Sequence, residues 1–364
     1  MNNQLSIYLD AVRVVAALLV FVAHLSSTMG GWLWQLGGLG HEAVVFFFVL
    51  SGYVIAYVTT AKEKNWQQYA LSRAARIYSV AFPALILTIV LYYLGRYIDA
   101  EAFVELDQRL FGPVVTILSA LFFLNQGWFS ITVFSNMPYW SLGYEVLYYV
   151  LFGLIIFVHG RKKIPLILLV LIIMGPSVIL YFPVWLLGVL SYKVSVSFKC
   201  RLAVANALFF LSMISIGLLC LDSVQAQING YVHSFFGAKF VSILNEPAEN
   251  FGADYCLAIA VAMNIFAVSK MGERLIFFNE SISRVIKGWA SYTFSIYLYH
   301  MPILFFVTAV APYEKGVILN VFLCLVVTPL IIFLLGNVTE NKKGRFKSVI
   351  GVWGRAIAMK TVRH

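Results

Sequence analysis

The sequence predicts an all-α fold, a polytopic integral membrane protein with about ten transmembrane helices. Three observations lead to this prediction. Hydrophobic residues make up 61% of the 364 residues, charged residues make up only 12%, and the mean hydropathy is +0.87. Soluble domains contain about twice that share of charged residues. The apolar runs are continuous and do not alternate with polar residues, so the sequence excludes a transmembrane β-barrel.

Ten apolar segments are candidates for membrane crossings, because a helix needs about 20 mainly apolar residues to cross the hydrocarbon core. We expect them to form one membrane domain, 5–336, followed by a short basic tail, 337–364. The segments lie near 10–28, 41–60, 77–98, 139–159, 164–181, 182–196, 203–222, 251–268, 289–310 and 316–336.

The basic residues indicate the orientation of the chain in the membrane. There are 26 Lys and Arg against 16 Asp and Glu, which gives a net charge of +10. These residues are scattered between the apolar segments, so they predict topology and no nucleic-acid partner. If the N-terminus is cytoplasmic, every basic residue falls on the cytoplasmic side except Arg96, Arg109, Lys239 and Lys315. We therefore expect both termini to be cytoplasmic.

The segment 113–135 is apolar enough to cross the membrane, but a crossing there would move Arg161, Lys162 and Lys163 to the outer side. We therefore predict a re-entrant or interfacial hairpin on the outer side. Irregular chain at membrane depth is tolerated only where protein covers it. The four cysteines show no CxxC spacing, so the sequence indicates neither a metal site nor a disulfide framework.

Ionisable residues inside apolar spans are costly, and each is a candidate functional residue. Asp10, Arg13 and His24 belong to the first span. Helix periodicity places Arg13 and His24 on one face, about 16 Å apart along the axis. A guanidinium suits phosphate, and an imidazole can move protons, so the two side chains could bracket one long ligand. The alternative is an arginine that reaches the interface and a histidine packed between helices.

Two further groups of polar residues lie at the ends of spans. Arg73 and Arg76, three residues apart at the end of a basic inner loop, could clamp a polyphosphate, although positive-inside anchoring explains them equally well. Glu145 lies about two turns inside the fourth span and needs a hydroxyl, an imidazole, a guanidinium or water beside it. Its neighbours Trp140, Ser141 and Tyr148 suit either a carbohydrate-binding surface or a plain aromatic belt.

Two other positions are less decisive. Ser51 forms a small Ser-Gly step in an aromatic helix, where either a close helix contact or a ligand could approach the backbone. His300 lies just before a helix-kinking proline, Pro302. The sequence favours structural packing for both.

Several motifs occur in order over residues 5–335. They are Leu9-Asp10-Ala11-Val12-Arg13 with Ala23-His24, FFVLSGY at 47–53, Arg73 and Arg76 with Ile77-Tyr78, Trp140-Ser141-Leu142 with Glu145 and Tyr148-Tyr149, and Ser291-Tyr292 through His300 to Pro302. This set resembles the acyltransferase-3 family of bacterial membrane O-acyltransferases. The resemblance implies a ten-helix enzyme of the bacterial cytoplasmic membrane. It also implies that Arg13 and His24 are essential and that Arg73 and Arg76 matter.

The sequence departs from the family pattern at three places. Many members carry an acidic residue where Val45 stands, and Glu42, one turn earlier, is the candidate substitute. In the family a proline usually follows the Arg-Ile-Tyr element. In this chain Ser79 occupies that position, and the nearest proline is Pro83. No hydrolase-like domain follows the last span, so we expect the membrane domain to complete the transfer alone or with a partner.

The resemblance predicts transfer of an acyl group, usually acetyl, from cytoplasmic acetyl-CoA to a hydroxyl of a surface glycan or its lipid-linked precursor. We expect acetyl-CoA as a substrate and no permanently bound cofactor. Arg13, Arg73 and Arg76 would hold the CoA phosphates. His24 would act as base or acyl carrier, and Glu145 would orient the imidazole or the acceptor. The predicted lining residues are Asp10, Glu42, Ser51, Trp140, Ser141, Tyr148 and His300.

Other functional classes also fit the composition. A transporter or flippase of a lipid-linked sugar would need a similar number of helices, but such proteins commonly contain repeated halves, and none is visible in this sequence. A receptor or scaffold would not need buried charges. Within the enzyme class, an acylase of a small molecule or a lipid is the nearest alternative.

Overall fold

The computed structural model describes residues 3–32, 34–108, 111–272 and 278–348. Within these ranges the chain is helical, and the only β-type pairing there is an isolated bridge between Val133 and Asn136. A π-helical stretch, Leu323–Val327, separates the last two α-helices. In chain order, α1 to α16 are Asn3–Thr28, Trp34–Gly37, Leu39–Ala61, Trp66–Ile98, Val104–Gln108, Pro113–Leu121, Trp140–Phe157, Lys163–Ser197, Leu202–Leu219, Asp222–Phe236, Ala238–Val241, Phe251–Met271, Glu280–Ala290, Thr293–Val310, Val317–Phe322 and Thr328–Val338.

Nine helical segments in the described part of the chain are long and apolar enough to cross a membrane. The predicted class, an all-α polytopic membrane protein, is therefore confirmed. The predicted spans 164–181 and 182–196 both fall within the segment Lys163–Ser197, α8, and this accounts for the difference between ten and nine. Gly175 has a non-helical backbone conformation and divides α8 into two helical arms. The segments are Asn3–Ser26, Gln35–Ala61, Trp66–Ile98, Met137–Phe157, Lys163–Ser197, Leu202–Leu219, Phe251–Met271, Thr293–Val310 and Val317–Ser348.

The helix α8 enters and leaves on the same face of the bundle. We call this the first face, and it also carries the start of α1 and the loop 62–65. Near the start of α8, the Nζ of Lys163 donates to the carbonyl of Ile155 at the end of α7. Near its end, Tyr192 packs against Tyr57 at the end of α3, with ring centroids 6.1 Å apart. The chain therefore passes through the bundle twice within α8.

The reversal occurs at Gly175 on the opposite, second face. Gly175 has φ +67°, a conformation that residues with a Cβ rarely adopt. A Cβ there would lie 2.7 Å from the carbonyl carbon of Gly127. The arm before the turn has about 12 residues and is therefore roughly 18 Å long, shorter than a full hydrocarbon crossing. The predicted division at 181/182 is wrong by several residues because the glycine, and not a polar loop, sets the turn.

The segment 113–135 dips into the bundle and turns back, as the charge pattern predicts. It consists of the short helix α6 and an irregular stretch. The Tyr78 hydroxyl donates to the carbonyl of Leu121 at 2.9 Å, and the Tyr139 hydroxyl donates to that of Ala120 at 3.1 Å. On the return, the side-chain amide of Asn136 donates to the carbonyl of Leu298 at 3.0 Å. These hydrogen bonds hold the end of α6 and the returning chain against α4 and α14, so protein covers part of the segment.

Two predicted boundaries differ from the structure. The third span begins at Trp66 and not near 77, so Arg73 and Arg76 belong to the helix α4 and not to a loop. Asn65 caps this helix by accepting from the backbone N–H of Gln68, which explains the earlier start. The last helix, α16, continues to Val338, two residues beyond the predicted end at 336. A 3-10 turn, Glu340–Lys342, and a short helical stretch over 343–348 follow, and the rest of the predicted tail, 349–364, lies outside the described residues.

The helices α3 and α8 cross at very close range through two glycines. A Cβ on Gly52 would lie 2.1 Å from the carbonyl oxygen of Trp185, and a Cβ on Gly188 would lie 2.0 Å from that of Val49. Small residues allow membrane helices to approach in this way. This crossing brings the Trp185 indole within hydrogen-bonding distance of Ser51, with Nε1 3.2 Å from Oγ.

We expect Gly188→Ala to lower the stability of the protein by about 1–3 kcal/mol, because the added methyl group overpacks the α3–α8 crossing. Thermal unfolding in detergent measures this effect. Gly217→Ala on α9 is the matched control, since a Cβ there meets no atom within 4 Å. Alanine favours helix, so the control variant should be at least as stable as the wild type. An equal loss of stability in both variants would contradict the proposed packing.

Candidate active site

The first site feature is a cavity that contains two arginines. Its empty volume is about 680 Å³, including the open mouth. Arg13 of α1 and Arg76 of α4 both line it. Two guanidinium groups facing one small space repel each other, and an anion between them would relieve that repulsion. We call this space the arginine cavity, and its lining is Arg13, Val44, Phe47, Phe48, Leu50, Ser51, Val54, Ile55, Arg76, Ser141, Leu142, Glu145, Tyr149, Thr293, Phe294 and Tyr297.

Two carboxylates, those of Asp10 and Glu340, bind residues in or beside the wall of this cavity. The Arg13 guanidinium lies 3.3 Å from the Asp10 carboxylate, one helical turn earlier on α1. On the wall formed by α14, the carboxylate of Glu340 accepts hydrogen bonds from the backbone N–H and the hydroxyl of Ser295, both at 2.8 Å. Glu340 thereby caps the start of α14, where a helix favours negative charge.

Glu145 also lines the arginine cavity, and its partners are hydroxyl groups. Ser51 donates to Glu145 Oε1 at 2.6 Å, and the Tyr149 hydroxyl donates to the same oxygen. This agrees with the requirement that a carboxylate buried in a membrane helix has a polar partner. The ring beside His24 belongs to His300, so Glu145 is placed near the arginines and not at the imidazole.

The second predicted arginine of α4 occupies a different environment. The guanidinium of Arg73 lies 2.8 Å from the carboxylate of Glu63, and both side chains are largely buried. It also lies over the rings of Tyr69 and Tyr149, at 5.8 and 5.9 Å from their centroids. Arg73 lines a neighbouring apolar groove, while Arg76 lines the arginine cavity. The predicted clamp of Arg73 and Arg76 on one ligand is therefore not the arrangement found.

The second site feature is a cavity that contains two histidines, which we call the histidine cavity. Its empty volume is about 670 Å³. His24 of α1 and Trp140 of α7 line it, so Arg13 and His24 share one helix but serve different cavities. The full lining is Val20, Ala23, His24, Gly37, Gly38, Gly40, His41, Val44, Met137, Pro138, Trp140 and Tyr297.

His24 is in contact with His300, a fully buried residue of α14. The Nδ1 of His24 lies 3.2 Å from the Nε2 of His300, and the ring centroids are 5.1 Å apart. The Nδ1 of His24 also lies 2.8 Å from the carbonyl of Val20, and the Nδ1 of His300 lies 2.8 Å from that of Ile296. His300 therefore positions the ring of His24, which the sequence alone did not indicate.

These contacts determine which nitrogen of His24 is basic. A carbonyl oxygen can only accept a hydrogen bond, so the Nδ1 of each neutral ring carries the hydrogen. The Nδ1–H of His24 is then shared between the carbonyl of Val20 and the Nε2 of His300. The Nε2 of His24 consequently carries the lone pair. A neutral imidazole fixed in this tautomer can take a proton from a hydroxyl group or accept an acyl group.

The two cavities share part of their lining. Val44 and Tyr297 line both of them. The Tyr297 hydroxyl lies 2.7 Å from the hydroxyl of Ser141, which lines the arginine cavity, and donates at 3.1 Å to the carbonyl of Pro138, which lines the histidine cavity. The wall between the cavities is therefore a few side chains thick.

The remaining predicted residues lie around these cavities. Tyr148 is fully buried and its hydroxyl donates to the carbonyl of Val178 at 3.0 Å, so it packs α7 against α8. Glu42 accepts a hydrogen bond of 2.7 Å from the side-chain amide of Gln225 on α10. It therefore faces α10, beside the histidine cavity.

Sequence reasoning missed three residues of the site: His41, Asp254 and Tyr297. The Nε2 of His41 lies 3.0 Å from the carboxylate of Asp254. Asp254 stands in the apolar run 251–268, so the rule that directed attention to Glu145 would also have selected it. Tyr297 is one of many aromatic residues in its span, and its position in the wall depends on tertiary packing alone.

Comparison with known proteins identifies the family of this chain. The family model described as an acyltransferase domain, acyltransferase-3, matches residues 6–336 of the 364-residue chain. No curated protein and no solved structure is similar enough to count as a match. The family match covers the residues of both cavities, including Arg13, Arg76 and His24. The chain therefore belongs to the acyltransferase-3 family of membrane acyltransferases.

Proposed function

We propose that the protein transfers an acyl group, with acetyl as the expected group, from cytoplasmic acyl-CoA to a hydroxyl of an envelope or surface polysaccharide or its lipid-linked precursor. The observation that carries this proposal is the pair of cavities that share the wall residues Val44 and Tyr297. One cavity has cationic groups suited to phosphates, and the other has an oriented imidazole. The two substrates of an acyl transfer need these two environments.

The arginine cavity suits the acyl-CoA donor. Arg13 and Arg76 would bind CoA phosphates through charge-assisted hydrogen bonds. The inner lining of the cavity is mostly apolar, which suits a pantetheine arm. The positive-inside rule places this side of the protein towards the cytoplasm, where acyl-CoA is found.

The histidine cavity suits the acceptor and the chemical step. In direct transfer, the acceptor oxygen bonds to the thioester carbonyl carbon, its proton passes to the Nε2 of His24, and the CoA thiolate leaves and takes up that proton. In the alternative route, Nε2 itself displaces the thiolate and forms a cationic acyl-imidazole. The acceptor hydroxyl then attacks the acyl carbon, Nε2 leaves with its lone pair, and the hydroxyl proton passes to the thiolate. Both routes give an ester and free CoA. Both use the nitrogen that the tautomer of His24 leaves basic.

We expect His24→Ala to reduce acyl transfer by at least about 10²-fold, because the base or acyl carrier is lost. The measurement uses membranes, acetyl-labelled CoA and envelope glycan, and it scores label that mild alkali releases. His159→Ala, in the loop after α7, is the control and should transfer normally. Wild-type rates in a His24→Ala protein that is correctly inserted would refute the role of His24.

We expect Arg76→Ala to raise the Kd for acyl-CoA by about tenfold or more, because a charge-assisted hydrogen bond to phosphate is lost. Equilibrium binding of labelled CoA to purified protein measures this change. Arg96→Ala is the matched control, since Arg96 pairs with Asp107 at 3.1 Å outside the arginine cavity. An unchanged Kd in Arg76→Ala would place the donor elsewhere.

For Arg73→Ala we expect a loss of stability of about 3–5 kcal/mol with little change in the affinity for CoA. The substitution leaves the Glu63 carboxylate buried without its charged partner. Thermal unfolding and CoA binding on the same sample separate the two effects, and adding Glu63→Gln should restore part of the stability. A stable Arg73→Ala protein with weakened CoA binding would instead support direct donor binding by Arg73.

A further inference from the structure

A second imidazole with a carboxylate partner lines the histidine cavity, and the proposed chemistry does not use it. The Nε2 of His41 lies 3.0 and 3.1 Å from the two carboxylate oxygens of Asp254. The Asp254 side chain is only 3% exposed, whereas the His41 side chain is 25% exposed. The carboxylate is therefore enclosed, and the imidazole is the member of the pair that a ligand in the cavity can reach.

The hydrogen-bond pattern determines which nitrogen of His41 can contact a ligand. A carboxylate accepts hydrogen bonds, so Nε2 carries a hydrogen and donates it to Asp254. The Nδ1 is then the nitrogen left for a ligand. Asp254 lies in the first turn of α12, where the helix N-terminus favours its negative charge. The pair joins α3 to α12 and fixes the orientation of the ring.

An aromatic face lies beside this imidazole. The ring of His41 is stacked with that of Trp140 at an interplanar angle of 18°, with centroids 6.5 Å apart. Both residues line the histidine cavity together with Gly37, Gly38 and Gly40, which add no side-chain bulk. A sugar ring combines an apolar face with hydroxyl groups at its edge. An indole beside an oriented hydrogen-bonding group matches both features.

We propose that His41, held by Asp254, binds the glycan acceptor through a hydrogen bond between its Nδ1 and a sugar hydroxyl, while the sugar ring packs on Trp140. This inference rests on the proposed function, because it assumes a glycan acceptor. His41 takes no part in bond making. It holds the sugar in the cavity that also contains His24, so that a neighbouring hydroxyl meets the basic Nε2 of His24.

Two substitutions separate binding from folding. In His41→Gln the side-chain amide can still donate to Asp254 from a position near that of Nε2, but the group equivalent to Nδ1 is lost. In His41→Asn the polar group lies nearer the backbone and the contact with Asp254 is lost. His233→Gln on α10 is the matched control, because His233 bonds to the carbonyl of Glu249 at 2.8 Å and does not line the histidine cavity.

The experiment measures binding of oligosaccharides to the full protein in lipid nanodiscs. The oligosaccharides come from the envelope polysaccharide of the source organism, treated with alkali to remove ester groups. We expect His41→Gln to raise their Kd by about tenfold, the effect of one lost hydrogen bond to a buried group. The Kd for labelled CoA should stay within about twofold of wild type. His233→Gln should match the wild type for both ligands.

Three results would overturn the inference: wild-type oligosaccharide binding in His41→Gln, equal weakening of CoA and oligosaccharide binding, or no oligosaccharide binding by the wild type. The acyl-transfer assay on the same samples tests the proposed function separately. A wild-type protein that binds oligosaccharide through His41 but forms no ester would contradict the proposed function and leave the binding site supported.

Discussion

The arrangement of this bundle depends on the burial of Arg13 and His24 in a single membrane helix. Polar side chains inside a bilayer are costly unless other helices supply partners. Asp10 meets Arg13 from the same helix, while His300 of α14 meets His24. Arg76 of α4 brings a second cation to the cavity of Arg13. The contact between His24 and His300 therefore ties α14 to α1, and both cavities lie beside these two helices.

Under the proposed function, the separation of Arg13 and His24 into two cavities lets the protein hold a donor and an acceptor in different environments. The donor and acceptor environments differ in charge, and Val44 and Tyr297 stand between them. An acyl group that crosses this thin wall needs to move only a short distance. In that proposal, the phosphates of the donor and the bulk of the acceptor remain in their own cavities. Each histidine that lines the histidine cavity has a partner, His300 for His24 and Asp254 for His41. Orientation of a base by a further group is a recurrent feature of nucleophile and base pairs in enzymes.

The close crossing of α3 and α8 fixes the position of Ser51 in the wall of the arginine cavity. Gly52 and Gly188 let the two helices touch backbone to backbone. Ser51, next to Gly52, then reaches both Glu145 and the indole of Trp185. Of the two alternatives that the sequence left for this motif, the close helix contact is the one found at Gly52, and Ser51 also lines the arginine cavity. The turn of α8 at Gly175 returns the chain to the first face, so the helix can supply this contact from inside the bundle.

The sequence by itself determined the class of protein, the approximate spans and the re-entrant nature of 113–135, and it singled out Arg13, His24 and Glu145 as candidate site residues. These features follow from local composition and from the cost of burying a charge, which can be read one segment at a time. The tertiary structure alone decided that Arg73 pairs with Glu63 while Arg76 enters the cavity, that His300 and not Glu145 meets His24, and that His41 pairs with Asp254. Residues such as His41 and Asp254 are 213 positions apart, and no local pattern encodes which helices will adjoin. Partner choice depends on the packing of the whole bundle, because the same buried charge can be satisfied by any helix that brings a matching group within reach.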